Sequence, residues 1–277
     1  MTNETDNAQA DDGGAIADLL DVPAGDDAQE PIPCTGCGAE LEPMEVDGSL
    51  FQPKRLCDAC AKQRQSDERQ DRLTSTYRSR LASAVESKRH RALADEDIEL
   101  HPALHRLPTS DESPNNAVYL SGETGTGKTT QLVTLVTRYL RSRIVDQEDP
   151  TATAQYANEG ELFREIRDAF DADDETASAV IDRYRTADLL ALDDLGTAKA
   201  TDWVAEQLYL IINARYESMK PTVFAGNKSV FDLAYTPDED GPDGHPAYGD
   251  RVISRIYEMT DQCSDERVAQ MTINYRK

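Results

Sequence analysis

The chain has 277 residues, enough for one large domain with a small module and tails, and too many for a mini-protein. Its 53 acidic residues against 29 basic ones give a formal charge of −24, and no apolar run approaches the roughly 18 residues that a membrane span requires. The opening MTNETDNAQADD carries neither the basic start nor the apolar stretch of a secretory signal, so the expected setting is the cytoplasm, away from membranes.

The charge is unevenly made: 32 Asp and 21 Glu stand against 21 Arg and only 8 Lys. Such a surface suits a halophile, because in molar salt the Debye length falls to about 3 Å and self-repulsion is screened. The bulk charge therefore says little about partners. Contact with nucleic acid would have to come from a local basic patch or a partner, and salt would weaken it.

Residues 1–33 hold nine acidic residues and no Lys or Arg, which predicts a disordered, solubilising acidic tail. Its short apolar stretch Ala15–Leu20 is assigned no function. Next come Cys34-Thr-Gly-Cys37 and Cys57-Asp-Ala-Cys60, with nineteen residues between the pairs, a spacing inside the zinc-ribbon range. Four thiolates at about 2.3 Å from zinc close a tetrahedral shell, so the site reads as structural. A segment this short and polar depends on the metal for most of its folding free energy. Two disulfides or a redox pair fit less well in a chain without an export signal. Cys263 stands apart and reads as a bystander.

Ala61 to Arg91 reads as a long polar helix. Lys62, Arg64, Arg69, Arg72, Arg78, Arg80, Lys88, Arg89 and Arg91 outnumber Asp67, Glu68, Asp71 and Glu86 there. A solvated face and a contact surface for phosphates or an acidic partner both remain open. Prolines 102, 108 and 114 then mark a linker, so residues 61–114 form a helix-and-linker segment ahead of a domain at 115–277.

That domain alternates strand and helix. Strands are expected at Ala117–Leu120, Ala152–Tyr156, Leu189–Leu192, Thr222–Ala225 and Val268–Asn274. Helices are expected at Lys128–Arg143, Glu159–Phe170, Asp202–Met219 and Asp250–Gln262. The alternation predicts an α/β fold with a parallel sheet covered on both faces.

Between the first strand and helix lies Gly122-Glu123-Thr124-Gly125-Thr126-Gly127-Lys128-Thr129, followed by Thr130, which fits GxxxxGK[ST] in the context the mechanism demands. The glycines let backbone N–H groups turn inward around phosphate oxygens at the positive end of a helix. Lys128 is then placed to reach the β and γ phosphates of ATP, and Thr129 to ligate Mg²⁺. Leu189–Leu192 runs into Asp193 and Asp194. Asp193 suits the Mg²⁺ shell, and Asp194 suits orienting and deprotonating the attacking water. Asn227, just past the next strand, is placed to hydrogen-bond that water or the γ phosphate.

Leu-Asp-Asp194-Leu-Gly196, Ile-Ile-Asn-Ala-Arg215-Tyr-Glu, Lys-Pro-Thr222, Asn227-Lys-Ser229, Arg251-Val-Ile-Ser-Arg255 and the final Asn-Tyr-Arg276 carry a resemblance. Over residues 115–277 the chain is similar to the DnaC/IstB-like AAA+ ATPases, which include helicase loaders and transposition helper ATPases. The resemblance implies an AAA+ P-loop core; the expected architecture departs from the usual AAA+ pattern in having no C-terminal helical lid and in carrying the cysteine module and long helix ahead of the core. The resemblance makes Asn227 a sensor 1 residue, Arg255 the arginine finger offered to the next subunit ahead of Arg251, and Arg276 a sensor-2-like group. It implies a homo-oligomer formed on ATP binding, DNA taken as single-stranded, and a replicative helicase as partner; the front end departs from the family pattern, and the zinc module and basic helix are read from the sequence itself as the partner-binding end. A transposition helper assembling on DNA and a zinc-dependent adaptor with a nearly inactive nucleotide switch are the alternatives. The acidic insertion Pro237–Asp243 has no assigned use.

Overall fold

The computed structural model describes residues 20–23, 30–46, 49–53, 55–94, 98–107, 116–171, 177–197, 202–234, 248–260 and 268–270. The acidic insertion at 237–243, Cys263 and Arg276 lie outside them, as does most of the acidic tail. The chain divides into two compact units, residues 1–72 and 73–277.

The first unit is built from short strands. β1 (Leu20–Pro23), β5 (Ser49–Pro53) and β4 (Met44–Val46) form one antiparallel sheet, and β2 (Ile32–Pro33) pairs with β3 (Glu40–Leu41). β1 falls in the segment expected to be disordered. Its pairing partner comes from between the two cysteine pairs, a non-local match that the composition of the tail does not reveal.

The long polar helix is α1 (Asp58–Ala84), which starts three residues earlier and ends seven residues sooner than expected. Val85, fully buried, turns the chain inward, and Ser87 caps a separate short helix, α2 (Lys88–Arg91), by accepting from the His90 N–H at 3.3 Å. Arg91 folds back to donate to the carbonyls of Ala82 (3.3 Å), Val85 and Glu86 (2.8 Å) at the end of α1. It therefore satisfies orphan carbonyls instead of extending a basic face. Arg64 is likewise engaged, with Glu68 at 2.9 Å.

The second unit centres on a five-stranded sheet. Its elements are β6 (Ala117–Ser121), α3 (Lys128–Arg141), β7 (Ala154–Asn158), α4 (Glu159–Asp171), α5 (Ala177–Thr186), β8 (Leu189–Leu195), α6 (Asp202–Glu217), β9 (Thr222–Gly226), α7 (Val230–Ala234), α8 (Gly249–Thr260) and β10 (Val268–Gln270). All pairings are parallel and the order is β10-β6-β9-β8-β7, or 5-1-4-3-2 counted along the chain. The predicted parallel α/β sheet is present, with β7 two residues later than expected and α5 and α7 additional. Thr153, the residue before β7, is held instead by Asp188, which accepts from its N–H and hydroxyl, each at 2.9 Å.

Alternation along the strands divides the core between the two faces. Tyr119, Leu190, Leu192 and Phe224 pack with α4 to α8, while Val118, Leu120, Leu189, Ala191, Val223 and Ala225 pack with α3 and the end of α1. In α3, Leu132, Val133, Val136 and Leu140 are fully buried at helical spacing.

Arg215 of α6 is fully buried. It donates to Thr222 Oγ1 (2.9 Å) and to the carbonyls of Tyr184 (3.0 Å), Arg185 (3.3 Å), Ala187 (2.7 Å) and Pro221 (2.6 Å). Burial pulls its pKa down to about 9. The guanidinium fork is used as a clip joining α5, α6 and the start of β9.

Candidate functional site

The glycine-rich loop leaves the C-terminal end of β6 and opens α3. Gly125 and Gly127 have φ of 89° and 93°, left-handed values that glycine adopts without a Cβ penalty. Thr126 closes the turn by donating its N–H (3.3 Å) and hydroxyl (2.9 Å) to the Glu123 carbonyl. Lys128 is buried, and its Nζ donates to the carbonyls of Gly122 (2.7 Å) and Glu123 (3.0 Å) and to Asn227 Oδ1 (3.0 Å). Burial lowers the Lys128 pKa, and the nearby Asp193 and Asp194 oppose that shift. The loop, Lys128, Asn227 and the acidic pair thus meet at the C-terminal ends of adjacent strands, where ligands bind in open parallel sheets.

Asp193 is only 1% exposed. It accepts from the Tyr156 hydroxyl at 3.0 Å and from the side chain of Thr129, the residue expected beside it at a metal. Burial raises its pKa above 3.8, with those hydrogen bonds pulling the other way. Asp194 sits at φ 57°, unusual for a residue with a Cβ, and accepts from Asn158 Nδ2 at 2.8 Å. Asn158 lies opposite Asp193 in the register of β7 and β8. Tyr156 and Asn158 were not singled out from the sequence. The predicted end of the second strand at Tyr156 left Asn158 outside it, and the signal available was a polar residue ending a strand next to one that ends in two carboxylates.

Arg255 has partners of another kind. On α8, its Nε donates to Asn213 Oδ1 at 2.9 Å, Nη1 pairs with Glu258 at 2.7 Å, and its guanidinium lies 4.5 Å from the centre of the Tyr216 ring. Among the described residues none of its partners belongs to the phosphate loop of the same chain. Arg251, one turn earlier, is exposed.

In the first unit the Sγ atoms of Cys34, Cys37, Cys57 and Cys60 all lie within 4.8 Å of one another, and none is disulfide-bonded. Cys37 and Cys57 Sγ are 3.7 Å apart, close to the edge of about 3.8 Å for a tetrahedron with metal–sulfur bonds near 2.3 Å. The Cys34 sulfur accepts from the N–H groups of Cys57 (3.3 Å) and Gly36 (3.4 Å), and such donors, Cys57 first, lower its pKa to about 6. Hydrogen bonding to the sulfur of Cys57 and its neighbours raises Cys60 to about 12. A Cβ on Gly36 would come within 2.8 Å of Cys60 Sγ, so a larger residue there would have to displace that sulfur. The donor set fits a tetrahedral dication.

A sequence profile of the bacterial DnaA ATPase domain matches residues 100–238. The phage-like element PBSX protein XkdC of Bacillus subtilis is 29% identical over 170 residues, covering 58% of this chain and 54% of its own length. The chromosomal replication initiator DnaA of Deinococcus radiodurans is 29% identical over 134 residues, covering 48% of this chain and 27% of its own. The chain thus spans about half of the first relative and about a quarter of the second. The crystal structure of the DnaC helicase loader is 19% identical, covers 68% of this chain and 99% of that one, and has a TM-score of 0.47. With the profile spanning half of its length, the chain belongs to the bacterial DnaA ATPase-domain family and carries the α/β AAA+ fold.

Proposed function

We propose that this protein is an Mg-ATP-hydrolysing AAA+ ATPase that works in DNA replication as a helicase loader. The observation supporting this reading is the single cluster of Lys128, Asn227, Asp193 and Asp194 behind the glycine-rich loop. The loop N–H groups from Gly122 to Thr130 would hold the phosphates, with Lys128 exchanging its loop carbonyls for phosphate oxygens. Thr129 and Asp193 would hold Mg²⁺, which when bound neutralises charge on the phosphates. Asp194, oriented by Asn158, would accept the proton of the attacking water, and Asn227 would position that water. Family membership supports this assignment of roles.

Arg255 would act in trans, completing the site of a second copy, and ATP binding would then favour a homo-oligomer. The four cysteines would hold one zinc ion, and their module would dock a replicative helicase. DNA, read as single-stranded, would be met by exposed basic residues of α1 such as Lys62, Arg78 and Arg80.

Phosphate release with DNA and ATP present is the test. Wild type should turn over and Asp194→Asn should retain only a slow residual rate; equally slow rates in both would instead support a zinc-dependent adaptor. Mixing Arg255→Ala with Lys128→Ala protein should restore activity that neither has alone. Affinity capture in high salt with ATP should return a replicative helicase, and recovery of a transposase would favour the transposition helper.

A further inference from the structure

Behind the acidic pair lies a hydrogen-bonded connection that the roles above leave unused. Glu159, the first residue of α4, is only 1% exposed, and Tyr248, just ahead of α8, is equally buried. The Tyr248 hydroxyl donates to Glu159 Oε1 and accepts from the Gly196 N–H at 2.5 Å. Glu159 Oε2 accepts from the Thr197 N–H at 3.0 Å. Gly196 and Thr197 form the turn that leaves β8 after Leu195, and Thr197 closes it by donating to the Asp194 carbonyl, at 3.2 Å from its N–H and 2.8 Å from its hydroxyl.

The turn is tight. Gly196 has a φ of 90°, and a Cβ there would run into Leu233. Asp194 itself holds φ 57°. A left-handed non-glycine residue persists only where its surroundings over-determine it. Asn158 fixes the Asp194 side chain, while Glu159 and Tyr248 fix the backbone that follows it. Tyr248 also leads into the helix that carries Arg251 and Arg255.

We propose that Glu159 and Tyr248 are positioning residues: together they clamp the Asp194–Thr197 turn to the start of α8, so that the Asp194 carboxylate is held in its place. The proposal rests on the ATPase reading above. A carboxylate is suited to this place because it accepts from both sides at once, a hydroxyl donor on one oxygen and a main-chain N–H on the other. Loss of the Tyr248 hydroxyl leaves the Gly196 N–H and one oxygen of Glu159 without these partners in a buried setting, and the turn is free to shift.

Steady-state ATP hydrolysis and binding of a fluorescent nucleotide by the full chain, with DNA and ATP present, test this. Tyr248→Phe should lower kcat about 10- to 100-fold, the scale of a misplaced catalytic group, and leave KM and nucleotide affinity within about twofold. Glu159→Gln should give the same split. In an Asp194→Asn background, single-turnover rates should show no further loss from Tyr248→Phe beyond about twofold, because residues acting as a unit are not additive. An unchanged kcat in Tyr248→Phe overturns the proposal, as does an equal loss in both backgrounds, which marks a general structural role. Should Glu159→Gln fail to fold, Tyr248→Phe decides alone. Absence of wild-type turnover overturns the ATPase reading and the clamp with it, whereas wild-type turnover with unaffected variants overturns the clamp only.

Discussion

Lys128 and Asn227 are separated by 99 positions along the chain, yet the lysine ammonium donates to the asparagine Oδ1 at 3.0 Å. The contact joins the two strands at the centre of the site, since β6 and β9 pair along their length up to Ser121 and Gly226. Asn227→Ala should therefore leave nucleotide affinity within a few-fold and lower hydrolysis by about 10²-fold, the scale of one lost transition-state donor. Lys128→Ala should lose binding itself. Titration with a fluorescent nucleotide alongside phosphate release separates the two.

Asp193 gives a pH dependence whose sign is fixed by its burial. Its folded-state pKa is raised above 3.8, so the folded form binds the proton more tightly than the unfolded chain does. Its contribution to stability is most favourable below the ordinary carboxylate range and declines as pH rises through the folded pKa. Asp193→Asn keeps an acceptor for the Tyr156 hydroxyl and removes the buried charge. The melting temperature of the nucleotide-free protein should rise in this variant, more at pH 8 than at pH 4, in exchange for lost Mg²⁺-dependent hydrolysis. Thermal unfolding at the two pH values checks it.

Arg215 should behave as a structural residue. Truncation to Ala strands the carbonyls of Tyr184, Ala187 and Pro221 in the core, at a cost of about 1–3 kcal/mol for each buried acceptor left without a partner. Arg215→Lys should recover little of this, because an ammonium cannot span acceptors laid out for a planar fork. Denaturant unfolding of the two variants gives the comparison.

For the cysteine cluster the expected stoichiometry is one zinc per chain by elemental analysis. Cys57→Ser, or chelation, should unfold the module at 34–60 while nucleotide affinity stays within about twofold, since a metal held by the four cysteines would supply most of that module's folding free energy and the glycine-loop cluster lies in the other compact unit. Limited proteolysis of the two forms would show whether cleavage is confined to the front.

The parts of this protein that were legible in the sequence are those whose chemistry is local. The glycine loop, Lys128 and the two cysteine pairs are each written in a few consecutive residues, and the structure gathers each set into one place. The sheet was legible because its strands are short apolar runs between amphipathic helices. What escaped depended on distant partners. β1 pairs with β5 across the first cysteine pair, Asn158 gains meaning only opposite Asp193, and Glu159 reaches Tyr248 from 89 positions away. The sequence pattern predicts too long an α1 because its polar composition continues past Ala84, while the break is made by burial of Val85 and the fold-back of Arg91. Arg215 was legible as part of a motif, but its burial was not, since nothing local distinguishes a clip from a surface arginine.

At Gly226 the strand end is packed so closely that an added Cβ would lie 2.5 Å from the Tyr119 hydroxyl and 2.8 Å from the Leu195 carbonyl oxygen. The second neighbour is main chain and has no rotamer by which to yield. The spacing between β8 and β9 just before Asn227 is thus governed by an atom that is missing. In a library randomised at this codon and selected for ATP turnover, survivors should return to glycine almost alone, even if position 119 were freed to shrink.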